Sequence, residues 1–353
     1  MSRRIEPFTY YMTQFYFKKG EKVVSNLFQQ ELPDYVEQFL YSLEAKGRQP
    51  STIKRYRYDL ADFLQWMRIT KKERSFKCFQ SLTDEEVAQY FHVLTIDRQY
   101  SYRTLKRVLT VLNQLYLYYR QLGKLRYNPL SSLSVDVEKF GPLKEEDFIS
   151  EKEQARLLFI LSSAEGLTEH QLKARHFLVD RNICIVLFFL HYGLTLKELV
   201  TIKMKDIHFE RNEIEISSIS SVSRIIKLTE EDKKQAYKYY QTIPKAVRPR
   251  YHSHDPFFVA FDFQRNTFRY NYEVEQPKAL TEIAIQKMIR EEVSRAGLRK
   301  GISAQHMRRT AVLNELLSGQ SQEHIQEKFG FKTPLSLKRY AEFAAEIKEA
   351  AKQ

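Results

Sequence analysis

The stretch ISAQHMRRTAVLNELLSGQSQEHIQEKFGFKTPLSLKRYAEF, residues 302–343, decides how this chain is read. Its apolar residues recur at helical spacing, which predicts helices over 303–318, 321–329 and 334–352. His306 and Arg309 lie three residues apart, so one helical face carries both. Tyr340 follows Gly330 by ten residues.

Working outward, a further helix is predicted over 279–296. Upstream, RNICIVLFFLHY predicts a strongly apolar helix over 181–192, with another starting near Leu196. Alternation in Ile207–Ser217 and again in Val222–Leu228 has the period of two that marks paired strands. A helix is expected over 151–162. Before it, apolar periodicity lapses and charge rises in VEKFGPLKEEDFIS, which predicts an interdomain linker over 136–150. The first domain, 31–135, reads as four amphipathic helices. Val36, Phe39, Leu40 and Leu43 mark the first, which Gly47 and Pro50 end. Ser51 is expected to cap the second, with Ile53, Tyr56, Leu60, Phe63, Leu64 and Met67 as its buried stripe. Thr83 opens the third, and Ser101 opens the fourth, which Gly123 and Asn128–Pro129 stop. Residues 1–30, aromatic and basic, read as an N-terminal extension. The remainder, 151–353, is the second domain.

Composition narrows the function. Lys and Arg number 57 against 44 Asp and Glu in 353 residues, a net charge of +13, and both halves share the excess. A polyanion is the expected partner, with nucleic acid leading. Cys78 and Cys184 lack metal-ligand spacing, so no disulfide scaffold or zinc finger is expected, and no metal. There is no phosphate-cradling or dinucleotide-binding glycine motif, so no cofactor is expected. No apolar run is long enough for a secretion signal or a membrane span, which predicts a cytoplasmic, nucleoid-associated protein with no membrane partner.

The residues 31–345 resemble the tyrosine recombinase or phage integrase family. TIKRYRYDLADFLQWM at 52–67 and SYRTLKRVLTVLNQLYLYYRQLGKLRYNPL at 101–130 are similar to its helical core-binding module. RNICIVLFFLHYGLTLKELVTIKMKDIHFERNEIEI at 181–216 resembles the helix, T-G-L-R-x-S-E-L box and strands of its catalytic domain. The stretch 302–343 has the order H-x-x-R, then L-G-H, then tyrosine. The resemblance implies a mainly α fold with a small antiparallel β-sheet, a helical core-binding (SAM-like) domain and a recombinase-like C-terminal domain forming a C-shaped clamp on double-stranded DNA. It also implies that Tyr340 attacks a phosphodiester to give a 3′-phosphotyrosine, with His306 and Arg309 around the phosphoryl oxygens. Fixed guanidinium donors supply much of such a rate.

Three positions depart from the pattern. Thr195 stands where the family has its first arginine, Val222 where it has the catalytic lysine, and Phe331 where it has a second histidine or tryptophan. Lys197 and Lys227 are the nearby cations. Losing one phosphoryl-clamping arginine costs on the order of 10³ to 10⁵ in rate. The leading expectation is therefore a sequence-specific DNA-binding protein that has lost the chemistry, a repressor of phage or mobile-element genes. The alternative is a divergent site-specific recombinase or integrase cutting DNA through Tyr340. Lys46, Arg48, Lys54, Arg55, Arg57, Arg103, Lys106 and Arg107 are the expected DNA contacts. The helix over 341–352, whose stripe is Phe343, Ala344 and Ile347, is expected to dock on a neighbouring copy, giving a homo-oligomer on DNA.

Binding through six to ten phosphates predicts an affinity loss of about 10³ to 10⁵-fold between about 50 and 200 mM salt, read by fluorescence anisotropy; a flat salt response contradicts it.

Overall fold

The computed structural model describes residues 31–131, 142–217 and 222–350. The expected extension over 1–30 lies outside the described residues. The chain divides into two compact units, Met1–Phe140 and Gly141–Gln353.

The first unit is helical. Its elements are α1 (Asp34–Ala45), α2 (Pro50–Lys71), α3 (Phe76–Gln80), α4 (Asp84–His92), extended by a π-helical turn at Val93–Asp97, and α5 (Tyr102–Gln121). They enclose one core whose centre is aromatic, with Phe63, Phe79, Tyr90, Tyr116 and Tyr119 all buried. Phe79 stacks on Tyr116 with ring centroids 4.3 Å apart, a geometry that adds about 0.5 to 1.5 kcal/mol to the area it buries. Ser51 is not the cap of α2. Pro50 takes the first helical position after Gln49, where its missing N–H leaves nothing unsatisfied and its φ is already helical. Thr83 and Glu86 form a capping box at α4, each side chain bonding the other's backbone N–H.

The second unit opens with a 3-10 turn at Glu145–Asp147, followed by α6 (Glu151–Ser162), α7 (Glu169–Tyr192) and α8 (Leu196–Thr201). The strands β1 (Ile207–His208), β2 (Glu213–Ile216) and β3 (Arg224–Lys227) form one antiparallel sheet in that order. Then come α9 (Glu230–Thr242) and two small ribbons, β4 (Phe261–Asp262) with β5 (Thr267–Phe268) and β6 (Tyr270–Asn271) with β7 (Gln276–Pro277). The chain closes with α10 (Glu282–Arg295), α11 (Ala304–Leu317), α12 (Gln322–Phe329) and α13 (Lys338–Ala350). Helix α7 begins twelve residues before the predicted apolar stretch, at a Thr168–Gln171 capping box.

Two cores form this unit. The larger gathers around the apolar end of α7, with Cys184, Ile185, Phe188 and Phe189. The smaller joins α11, α12 and α13 through Val312, Leu316, Ile325, Phe329 and Phe343, and Tyr340 packs at its edge. Part of the stretch expected as a linker belongs here. Leu143 and Phe148 are buried in the smaller core, Phe148 stacks on Phe343 at 4.9 Å, and the Ile149 N–H donates to Thr310 Oγ1 at 2.9 Å. The α13 stripe also lies in this core, where Phe343 and Ala344 are buried and Ile347 packs on them. Within this unit the stripe packs against Leu143, Phe148 and the apolar face of α11. Among the described residues, no helix is long and apolar enough to cross a membrane.

Gly193 ends α7 in the left-handed region at φ +56°, and a Cβ there would overlap the buried Phe329 ring. Gly297 has φ +66°, and a Cβ there would meet nothing within 4 Å. Gly193→Ala should cost about 2 to 5 kcal/mol and Gly297→Ala about 1 to 2, compared by urea denaturation, because only the first adds overpacking to left-handed strain. Equal costs would contradict the packing described.

Candidate active site

Glu198 lies at the centre of the site and has no exposed side-chain surface. Thr195 precedes it as the cap of α8: Thr195 N–H and Oγ1–H donate to Glu198 Oε2 at 2.8 and 3.0 Å, and the Glu198 N–H donates back to Thr195 Oγ1 at 3.2 Å. The other carboxylate oxygen accepts from Arg224 Nη1 at 2.6 Å. Arg308 Nη1 lies 3.9 Å from Glu198 Oε2. One buried carboxylate is thus shared as counter-ion by two guanidinia that burial would otherwise penalise heavily.

Each arginine is also fixed by backbone carbonyls. Arg224, the first residue of β3, donates from Nε to Lys328 O at 2.9 Å, next to the turn at Gly330. Arg308, on α11, donates to Gly193 O and, at 2.8 Å, to Phe329 O. Its guanidinium lies over the Phe331 ring at 5.1 Å and over the Phe329 ring at 5.9 Å. Burial, ahead of the nearby Arg224 charge, pulls the Arg308 pKa below its ordinary value, against the pull of Glu198.

Tyr340 sits in the first turn of α13, its ring 6.3 Å from Phe331. Burial raises its pKa, while the charges of Arg309, Arg308 and Arg339 pull the other way. The phenol is therefore protonated at neutral pH, and its anion would meet positive charge as it forms. Arg309 is paired with Asp147. His306 Nδ1 is 2.9 Å from Ser303 Oγ, and burial, then Arg309 and Arg299, depress its pKa. The imidazole is accordingly neutral at pH 7. Arg308, Arg309 and Arg339 set positive charge beside a neutral phenol, an arrangement suited to an oxyanion.

The structure thus brings Tyr340 and Arg309 together and sets His306 one helical turn from Arg309. Thr195 caps a helix, Phe331 packs a ring under Arg308, and Val222 is exposed, its N–H donating to Gly330 O at 3.4 Å. Lys227 stands at the far end of β3 from Arg224, in register with Glu213. Arg308 and Arg224 are the residues that the sequence reading passed over. Both carry a periodic signal: Arg308 shares a helical face with the buried Ala304, Ala311 and Val312, and Arg224 shares strand parity with the buried Ile226 and Leu228.

In the first unit, Lys46, Arg48, Lys54, Arg55, Arg103 and Lys106 are exposed. Arg57 is engaged by Glu37, with Nη2 at 2.7 Å from Oε2, and Arg107 makes a two-point bond to the buried Asp59 at 2.7 and 2.9 Å. These two arginines hold α1 to α2 and α2 to α5.

Residues 35–124 match the phage integrase, N-terminal SAM-like domain, and residues 152–346 match the phage integrase family. Among similar proteins, tyrosine recombinase XerD of Listeria monocytogenes is 25% identical over 304 residues, covering 84% of this chain and 90% of the relative. Tyrosine recombinase XerC of Lactobacillus delbrueckii subsp. bulgaricus is 22% identical over 295 residues, covering 83% and 89%. The fold is shared with the Tn1549 transposon integrase in complex with a circular intermediate DNA, at a TM-score of 0.63 and 16% identity, covering 90% of this chain and 99% of that one. It is shared too with the XerH site-specific recombinase bound to a palindromic difH substrate, at 0.63 and 18%, covering 87% and 81%.

Removing the Glu198 charge strands two buried guanidinia, so Glu198→Gln should cost about 3 to 5 kcal/mol in urea unfolding. Thr195→Ala, which removes only a cap, should cost about 1 kcal/mol. Similar small losses for both would contradict the central role of Glu198.

Proposed function

The chain belongs to the phage integrase family, and from that premise we propose that it cuts and rejoins double-stranded DNA at specific sites, with Tyr340 as the nucleophile. The observation that carries this reading is the half-buried Tyr340 phenol, packed at the edge of the smaller core beside the positive charge of Arg308 and Arg309. In the step proposed, Tyr340 Oη attacks the phosphorus, the bond from phosphorus to the 5′-oxygen breaks, and a 3′-phosphotyrosine forms. The phenol proton leaves to solvent or to His306, and the 5′-oxygen takes up a proton. His306 Nδ1 is engaged by Ser303, so Nε2 is the nitrogen available for proton transfer. Arg308 and Arg309 donate to the non-bridging oxygens, where charge accumulates. The names of the relatives, which are recombinases, and of the structural neighbours, which hold DNA, support the same reading.

A second reading rests on Thr195, Val222 and Phe331. None of the three carries a charge, so the phosphate would have fewer donors and the leaving oxygen no lysine. On this reading the protein holds DNA without cutting it and serves as a repressor. In both, Lys46, Arg48, Lys54, Arg55, Arg103 and Lys106 provide the phosphate contacts of the first unit, while Arg57 and Arg107 act chiefly on its stability.

The test is incubation with a nicked suicide DNA, scored for a detergent-resistant adduct and, separately, for a gel shift. An adduct is expected with the parent and none with Tyr340→Phe, which should still bind within about threefold, since a single hydroxyl is lost. Arg308→Ala should slow adduct formation by about 10³ to 10⁵-fold. Lys54→Ala with Arg55→Ala should weaken binding to every sequence alike. Sequence-specific binding with no adduct at all would reject the cutting reading and leave the repressor.

A further inference from the structure

Helix α7 carries a further buried guanidinium, outside the cluster held by Glu198. Arg181 is 5% exposed, and among the described residues no carboxylate pairs with it. Its Nε and Nη2 donate to Asn182 Oδ1 at 3.3 and 3.2 Å, and its Nη1 donates to Val259 O at 3.2 Å. These are long bonds to neutral acceptors, and they engage three of the five N–H groups that a guanidinium offers. Burial pushes its pKa down to about 10, so the group remains a cation at neutral pH without a counter-ion.

Arg181 lines a cavity of about 530 Å³, a volume within the usual range for small-molecule sites. The wall is apolar through Leu178, Ile185, Phe261, Leu280 and Met288. Lys278 is exposed on the lining, and Arg175 adds a half-buried guanidinium. Of the two acids on the lining, Glu292 is bonded to Arg295 at 3.0 Å and Glu291 lies 3.7 Å from Lys287. The cavity therefore joins an apolar surface to an uncompensated cation at its base.

We propose that this cavity binds a small organic monocarboxylate, whose apolar body lies on the Leu178, Ile185 and Met288 wall and whose carboxylate pairs with Arg181. A carboxylate there would accept the two remaining N–H groups, one on Nη1 and one on Nη2, and replace the missing counter-ion. A duplex DNA backbone does not fit the same role, because the guanidinium lies almost wholly beneath the surface. The site stands independently of the chemistry proposed for Tyr340.

The experiment is a fluorescence titration of the full chain with anilinonaphthalenesulfonate, an anion with an aromatic body, followed by competition. Saturable binding of one probe per chain is expected, displaced by octanoate but not by octylamine, inorganic phosphate or duplex DNA. Arg181→Met should weaken the probe by about 10 to 150-fold, the range for a hydrogen bond to a charged group, without lowering the thermal midpoint. Lys278→Glu, at an exposed position, should weaken it by a smaller factor and keeps the test decisive if Arg181→Met does not fold. Displacement by octylamine as effective as by octanoate, displacement by duplex DNA, or unchanged affinity in the variant that folds would overturn the proposal.

Discussion

A carboxylate enclosed on all sides, Glu198, holds the second unit's charged centre together. One of its oxygens takes the backbone and hydroxyl of Thr195, and the other takes Arg224 from the sheet. Arg308 from α11 lies within reach of the same group. A buried ion cluster of this kind adds little net stability, since desolvation offsets most of the attraction. What it fixes is geometry. The same carboxylate ties together the start of α8, the first residue of β3 and the middle of α11, elements that also share the larger core through Leu199, Ile226 and Met307. The glycine at the end of α7 completes the arrangement, because only a residue without a side chain lets Phe329 and the Gly193 carbonyl come so close to Arg308.

Thr195 and Phe331, both uncharged, have definite places in this arrangement. Thr195 serves as a cap that anchors the Glu198 end of α8. Phe331 presents an aromatic face beneath Arg308, within ring-packing distance of Tyr340. Positive charge near the phenol then comes from Arg308 and Arg309, adjacent in sequence and about 100° apart around one helix. A site assembled in this way takes its guanidinia from α11 and β3 and has uncharged side chains at Thr195, Val222 and Phe331.

Elements with strong apolar periodicity were legible in the sequence: α1, α2, α5, α11 and the strands β2 and β3 all bury the faces that their spacing marks. Helix α9 was not, because it opens with Glu230, Glu231 and Asp232 and buries only four residues, so neither period emerges. Residues 142–150 read as linker because charge surrounds Leu143 and Phe148, and local composition carries no sign of a stacking partner as distant as Phe343. Tyr340, His306 and Arg309 were found through spacing. Arg308 and Arg224 were passed over because a charge on a buried face looks like noise until its counter-ion is known, and Glu198 is remote from both in sequence.

The most direct test of the account is to locate the DNA attachment by mass spectrometry. Trypsin, cutting after Arg339 and Lys348, releases Tyr340–Lys348, the peptide YAEFAAEIK. The account predicts that, after reaction with nicked DNA and nuclease trimming, this peptide carries a nucleotide on its tyrosine. A nucleotide on any other tyrosine, or a wholly unmodified peptide from a protein shown to bind the same DNA, would contradict it.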